Sequence, residues 1–327
     1  MTTSAAADRL EVQVLVDNVT DTLSTVPRFV AREQQVLRRN GMLRSSGAAM
    51  CCANHGLSLV ITAHSAEGAR TVLFDAGPVD YAVVRNGARL GVDFAAIEAV
   101  VLSHGHWDHA GGLLQAFDLI HAANGGRPVP CHLHPGMFAE RGMGQADGGV
   151  FPMDYIPTPE TLAAHGAAPV VSAEPQALLD GALYVSGEIP RRTAYERGLP
   201  GQVRRTADGR WVPDPLLMDE RFLAARVRGK GVVVFSACSH AGIVNVLHAA
   251  RDAFPGEKLH AVMGGFHLSG ENEAIIPETV RDLGGFGLDL IIPSHCTGWR
   301  AVNALERAYG EGIVTPGAVG KRFTFGG

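Results

Sequence analysis

His104-Gly105-His106-Trp107-Asp108-His109 is the string on which the reading of this chain turns. It follows an aliphatic and β-branched run, residues 97–103 (IEAVVLS), and precedes Gly111-Gly112-Leu113-Leu114. The backbone is therefore expected to be extended to about His104 and helical from about Gly111. Extended spacing puts His104 and His106 on one face, while Asp108 and His109 fall in the turn and reach the same point from the other side. Three imidazoles and a carboxylate in one small volume suit zinc, and also iron or manganese. Taken singly, a histidine in an apolar stretch packs in the core and an aspartate before a helix caps it. Buried together without a cation, these four would strand several polar groups at roughly 1–3 kcal/mol each, so metal binding is the expected role.

The rest of the chain sets bounds on partners. The 327 residues include no linker that divides them, so one domain over 1–327 is expected. An apolar fraction of 46% gives ample core, and a net charge of −5 offers no basic footprint for nucleic acid. The partner is expected to be a small molecule. No run of eighteen apolar residues suggests a membrane span, and the N-terminal MTTSAAADRLEV has neither the basic start nor the apolar centre of a secretory signal. A cytoplasmic protein is expected; nothing fixes its oligomeric state. Five cysteines, Cys51, Cys52, Cys131, Cys238 and Cys296, form no Cys-x-x-Cys pair, so free thiols are the default.

Strands are expected at 13–17, 57–62, 71–74, 97–103, 129–133, 182–186, 259–263 and 288–292, with a hairpin over 226–235 turning at 229–231. Helices are expected at 81–90, from 112, and at 243–254, 277–283 and 300–309. Strands come first, then helix and strand alternate, in both halves of the chain. That order fits two sheets packed face to face with helices outside each. Residues 136–181 and 190–225 lack clear periodicity and read as insertions over the site.

These features resemble the metallo-β-lactamase fold superfamily. The residues that carry the resemblance are Leu73-Phe74-Asp75-Ala76-Gly77, the 104–109 string with Ala110-Gly111-Gly112-Leu113, and the late strand-end His295. Further strings are similar to one subgroup: Gly187-Glu188-Ile189-Pro190-Arg191, Cys238-Ser239-His240-Ala241-Gly242-Ile243, Gly264-Gly265-Phe266-His267-Leu268 and His295-Cys296-Thr297-Gly298. That subgroup contains the dihydropterin ribofuranosylaminobenzene phosphate synthase of methanopterin biosynthesis and many proteins called simply metal-dependent hydrolases. The resemblance implies an α/β fold, a four-layer αβ/βα sandwich of two mixed β-sheets flanked by helices, with the metals at one edge. It implies one metal position at His104, His106 and His240, and a second at Asp108, His109 and His295. The chain departs from the superfamily in lacking its Gly-His-Thr loop and its bridging aspartate. Gly187-Glu188-Ile189 and Ala237-Cys238-Ser239-His240 stand in those places. One or two zinc ions are expected, the second weakly held or absent.

Other residues carry paired readings. Asp75 either orients a ligand histidine or caps a loop. His267, after a Gly-Gly pair that suggests backbone crowding near a ligand, is a metal ligand, a proton donor or a substrate contact; it is assigned to the substrate side. Glu188 is a ligand or a general base, or is a surface carboxylate; it is assigned to substrate binding. Arg191 with Arg192 holds a phosphate in a fork of donors, or is a solvated pair. Cys238 binds metal as thiolate, or is a small buried thiol. His132 and His134 share a strand face without a carboxylate and belong to the site's surroundings or the core.

The expected chemistry is attack by metal-activated water, with Asp108 holding it and taking its proton and His267 protonating the leaving group. No Gly-x-Ser-x-Gly elbow offers a serine route. A metal-dependent hydrolase of a small anionic substrate, phosphate esters included, is the leading reading. A transferase joining a pterin methyl group to an aminobenzene riboside phosphate is the second, and a non-catalytic ligand-binding protein on the same fold is the third.

Overall fold

A computed structural model of the chain describes residues 5–327. Its larger sheet has eight strands in the order Val30–Ala31, Arg322–Gly326, Arg9–Val16, Ser58–Ser65, Gly68–Phe74, Ile97–Val101, Val129–Leu133 and Ala167–Val171. A six-stranded sheet runs Gln176–Leu178, Leu183–Val185, Leu223–Val227, Gly231–Ser236, Leu259–Gly265 and Leu290–Ser294. Strand alternation splits the apolar residues between layers. Val72, Phe74, Ala99 and Val101 of the first sheet meet Val233, Phe235, Ala261 and Met263 of the second in a shared core. Leu73 and Val100 face outward, under the helices Asp80–Leu90 and Leu113–Ala123. Val232, Val234 and Val262 face the helices Ile243–Ala253, Ile276–Leu283 and Trp299–Tyr309. The four layers are helix, sheet, sheet, helix, an αβ/βα sandwich.

Both sheets carry parallel strands, Gly68–Phe74 to Val129–Leu133 in one and Gly231–Ser236 to Leu290–Ser294 in the other. Crossover helices return the chain so that the carboxyl ends of these strands share one edge, where open α/β sheets place their ligands. Asp75, His104, His240, His267 and His295 all follow such ends. The backbone there is strained. Asp75, Ser239, His267 and His295 have φ of 59°, 57°, 46° and 47°, left-handed for non-glycine residues and costing about 1–3 kcal/mol each.

Several expectations are corrected. The stretch 136–181 is not wholly an insertion, because 167–171 extends the larger sheet and 176–178 edges the smaller. Short strands with Pro169 inside one of them leave little period to read. The hairpin strands are Leu223–Val227 and Gly231–Ser236, so the first begins inside the stretch 190–225. Arg322–Gly326, unread in the sequence, pairs with Arg9–Val16 from the other end of the chain and buries Phe323 and Phe325. Residues 141–213 also supply a third, antiparallel sheet: Trp211–Pro213, Gln202–Arg205, Arg141–Gly144 and Val150–Pro152. No helix among the described residues is long and apolar enough to cross a membrane. Residues 1–4, where the N-terminal stretch read for a signal begins, lie outside the described residues.

One buried ion pair ties the small sheet to the 104–109 loop. Arg141 Nη2 donates to Asp219 Oδ1 at 2.5 Å and Nη1 to Asp219 Oδ2 at 3.2 Å. The same Oδ2 accepts from the Gly105 N–H at 2.9 Å. Neither side chain exceeds 4% exposure; without Asp219 the buried Arg141 would keep Asp214, 3.1 Å from its Nε, as its one carboxylate, and the Gly105 N–H would lose its acceptor. Asp219→Ala is therefore expected to lower unfolding free energy by about 1.5–3 kcal/mol in urea titration, the scale of lost hydrogen bonds to a charged group. A change below about 0.5 kcal/mol, typical of a surface site, would contradict this clamp.

Candidate metal centre

The 104–109 string bends as the sequence suggests. Ile97–Val101 ends the strand, His106 is still extended, and a short helix, Trp107–Ala110, turns Asp108 and His109 back toward His104. The ring nitrogens of His104, His106 and His240 form one group with every donor within 4.8 Å of the others. Asp108, His109 and His295 form a second group by the same measure. Asp108 Oδ2 lies 3.6 Å from His109 Nε2 and 3.3 Å from His295 Nε2. All six residues are buried.

Four of the five rings, those of His104, His106, His109 and His295, are aimed by a partner on the far side. His109 Nδ1 meets Asp75 Oδ2 at 2.7 Å, leaving Nε2 for the centre. Ser103 Oγ donates to the same Asp75 oxygen at 2.8 Å and lies 2.9 Å from His104 Nδ1, so one carboxylate orients two histidines. His106 Nε2 meets Gln202 Oε1 of the small sheet at 2.7 Å. His295 Nδ1 meets Asn18 Oδ1 at 2.9 Å, and its backbone N–H donates to buried Asp17. The N–H groups of His240 and Ala241 donate to Glu220 at 2.8 and 2.6 Å, which fixes the His240 loop. Burial raises Glu220 to about 7 against those two donors, and Asp17 to about 6 against the pull of His295.

The donor atoms fit a cation. His109 Nε2, His295 Nε2 and both nitrogens of His240 are buried without a hydrogen-bond partner. Burial, then neighbouring imidazoles, holds His104 well below the usual histidine range; His240 is lowered likewise by burial and by His267. Burial lowers His106 to about 4. These three rings are neutral, the form that binds a metal. His109 behaves oppositely: burial opposes its charge, but Asp108 and Asp75 more than offset that and raise it to about 9. Asp108 is held well below the carboxylate range, against burial, by His109 and His295.

The remaining expectations divide. His267 faces the cleft, its ring 4.3 Å from that of His240 and its Nδ1 3.4 Å from Cys238 Sγ. The Gly264-Gly265 crowding has another cause than a ligand: a Cβ on Gly264 would strike the Ser236 carbonyl, and one on Gly265 the Ala237 carbonyl and Cys296 sulfur. Cys238 lies between the two groups, its sulfur within 4.8 Å of donors on His104 and His109. Glu188 is corrected: its half-exposed carboxylate lies 3.5 Å from His134 and lines a separate cleft with Tyr184, Ser186 and Asp252. Arg191 is corrected as well, since its guanidinium donates to the carbonyls of Ile189, Leu216 and Leu217. Arg192 pairs with Asp252. No phosphate fork forms there.

A cleft of about 320 Å³ opens on the centre, with Trp107, Met153 and Leu199 as apolar walls and Asn18, His55 and Ser269 as polar ones. His55, passed over in the sequence, stands at its mouth with Nε2 3.6 Å from Asp108 Oδ2. Asn18, Gln202 and Glu220 were also missed. Only Asn18, at the end of a strand, had a signal to follow.

The chain is similar to known proteins in sequence and in fold. Residues 54–195 match the family model of the metallo-beta-lactamase superfamily. The chain is 29% identical over 260 residues to the 7,8-dihydropterin-6-methyl-4-(beta-D-ribofuranosyl)-aminobenzene-5'-phosphate synthase of Methanocaldococcus jannaschii, covering 79% of this chain and 85% of that one. It is similar in the same degree to an uncharacterised protein of that archaeon, 29% identical over 78% of this chain and 88% of the other. Among solved structures, a metal-dependent hydrolase of the beta-lactamase superfamily superposes with a TM-score of 0.71 at 23% identity, covering 97% of this chain and 100% of that one. The metallo-beta-lactamase fold protein YhfI from Bacillus subtilis gives 0.54 at 13% identity, again over 97% and 100%. Residues 54–195 thus match the metallo-beta-lactamase superfamily, and the chain as a whole shares its sandwich fold with proteins described by that name.

Proposed function

We propose that this protein is a metal-dependent hydrolase acting on a small anionic substrate. The observation that carries the reading is the convergence of six donors from three distant stretches of chain, with buried ring nitrogens that have no other partner. His104, His106 and His240 would hold one ion, and Asp108, His109 and His295 a second. Imidazole and carboxylate donors suit zinc, with manganese or iron as alternatives. A bound divalent ion supplies water of lowered pKa and polarises a carbonyl or phosphoryl oxygen.

The protein's own groups do the rest. Asp108, ionised and on the cleft wall, accepts a hydrogen bond from the attacking water and orients it. His267 is suited to protonating the leaving group: burial opposes its charge, but the Cys296 sulfur and Glu220 raise it above the ordinary histidine value. Trp107, Met153 and Leu199 exclude water and seat an apolar portion of the substrate. With Arg191 and Arg192 engaged elsewhere, the substrate's negative charge is met by His267 and by the start of the helix Trp299–Tyr309 at Gly298.

Similarity over 85% of the Methanocaldococcus synthase supports a second reading, a transferase that joins a dihydropterin methyl group to a ribofuranosyl aminobenzene phosphate. One set of assays separates the two. Purified protein is offered phosphodiesters, lactones and thioesters, and separately the two halves of the coupled pterin product with a leaving group on the methyl carbon. Hydrolysis that disappears in His104→Ala, and falls about 10²–10⁴-fold in kcat in His267→Gln, is the expected result. Coupled product without hydrolysis would favour the transferase. A tightly bound ligand with full metal occupancy and no turnover would remove both.

Metal affinity should also depend on pH in a way that distinguishes the two positions. Without an ion His109 carries a proton up to about pH 9, whereas His106 loses its own near 4. Binding at the Asp108, His109 and His295 position must release that proton, so its apparent affinity should rise about tenfold per pH unit from 7 toward 9. Affinity at the other position should stay level over the same range. Calorimetric zinc titrations of metal-stripped protein at several pH values measure both; two level profiles would contradict the assignment.

A further inference from the structure

Two thiols face each other on the cleft wall. Cys238 Sγ and Cys296 Sγ are 3.1 Å apart, both unbonded, and both line the cleft. Cys238 follows the strand Gly231–Ser236 and Cys296 follows Leu290–Ser294, and the strand Leu259–Gly265 lies between them. Gly265, at the end of that middle strand, makes the approach feasible: a Cβ there would stand 2.6 Å from Cys296 Sγ and 2.4 Å from the Ala237 carbonyl. The other three cysteines have no such partner. Cys51 and Cys52 contact Glu33 and Asn86, and Cys131 is packed under the helices of the larger sheet.

We propose that Cys238 and Cys296 form an oxidative modification site, a dithiol that a small peroxide entering the cleft converts to a disulfide. A disulfide bond is about 2.0 Å long, so the sulfurs must close by roughly 1 Å, within reach of side-chain rotation. In the first step one thiol attacks a peroxide oxygen: an S–O bond forms, the O–O bond breaks, and a sulfenic acid and water result. The second thiol then attacks that sulfur, the S–S bond forms, the S–O bond breaks, and a second water leaves. Two electrons pass from the sulfur pair to the peroxide. The new bond ties the loop carrying His240 to the loop carrying His295, one donor from each group. That consequence rests on the metal-centre reading; the cross-link itself does not.

The test uses full-length protein, reduced, treated with hydrogen peroxide, blocked at remaining thiols and digested with trypsin without reductant. The peptides 231–251 and 282–300 each contain one cysteine. They should appear joined, lighter by two hydrogen atoms than the separate pair, with two of the five cysteines lost to thiol titration and both changes reversed by dithiothreitol. Cys238→Ser and Cys296→Ser should each abolish the joined peptide. Oxidation that leaves both cysteines unlinked in the wild-type protein, as free thiols or as sulfinic or sulfonic acids, would overturn the proposal. So would a bond from either of them to Cys51, Cys52 or Cys131.

Discussion

Buried imidazole nitrogens that point at one another need a shared positive partner, and this need shapes the edge where the two sheets meet. Each polar atom left unpaired in the interior costs about 1–3 kcal/mol, and the left-handed residues Asp75, Ser239, His267 and His295 add strain of similar size. A folded domain has only about 5–15 kcal/mol in hand, so such a cluster is a heavy load unless a cation occupies it. The supports around it follow from the same need. Asp75, Gln202 and Asn18 each engage the far nitrogen of a histidine, fixing which nitrogen faces inward.

The support comes from both sheets and from the small third sheet. Asp75 follows a strand of the larger sheet and Glu220 precedes a strand of the smaller one, while Gln202 reaches in from the segment 141–213. The Arg141–Asp219 pair holds that segment against the 104–109 loop. The centre is thus a product of tertiary closure. Its donors come from three stretches far apart in sequence, 104–109, 240 and 295, which meet only because parallel strands of two sheets end at one edge.

What could be read from the chain follows from how local each signal is. The 104–109 string brings its own strand and helix, so its geometry was legible, and His240 and His295 stood out as histidines directly after apolar strands. The sandwich was legible from the change between strand runs and helix–strand alternation. Glu188 and Arg191 were misplaced because nothing local shows that the 216–217 carbonyls occupy the Arg191 guanidinium, or that Glu188 turns to a neighbouring cleft. Asn18, Gln202 and Glu220 escaped notice because a polar residue on a short strand or loop acquires its role from a partner 20 to 277 residues away. The strand Arg322–Gly326 was missed because its pairing partner lies at the opposite end of the chain.

The central claim is that His104, His106 and His240, and beside them Asp108, His109 and His295, enclose bound metal. Anomalous diffraction from crystals of protein purified without added metal, recorded across the manganese, iron and zinc edges, tests it most directly. The account predicts an anomalous peak about 2.0–2.2 Å from nitrogens of the first group, and a second beside Asp108 where two ions are held. Crystals grown with excess zinc that show no peak at either position, or show peaks only on histidines outside both groups such as His64 and His165, would contradict it.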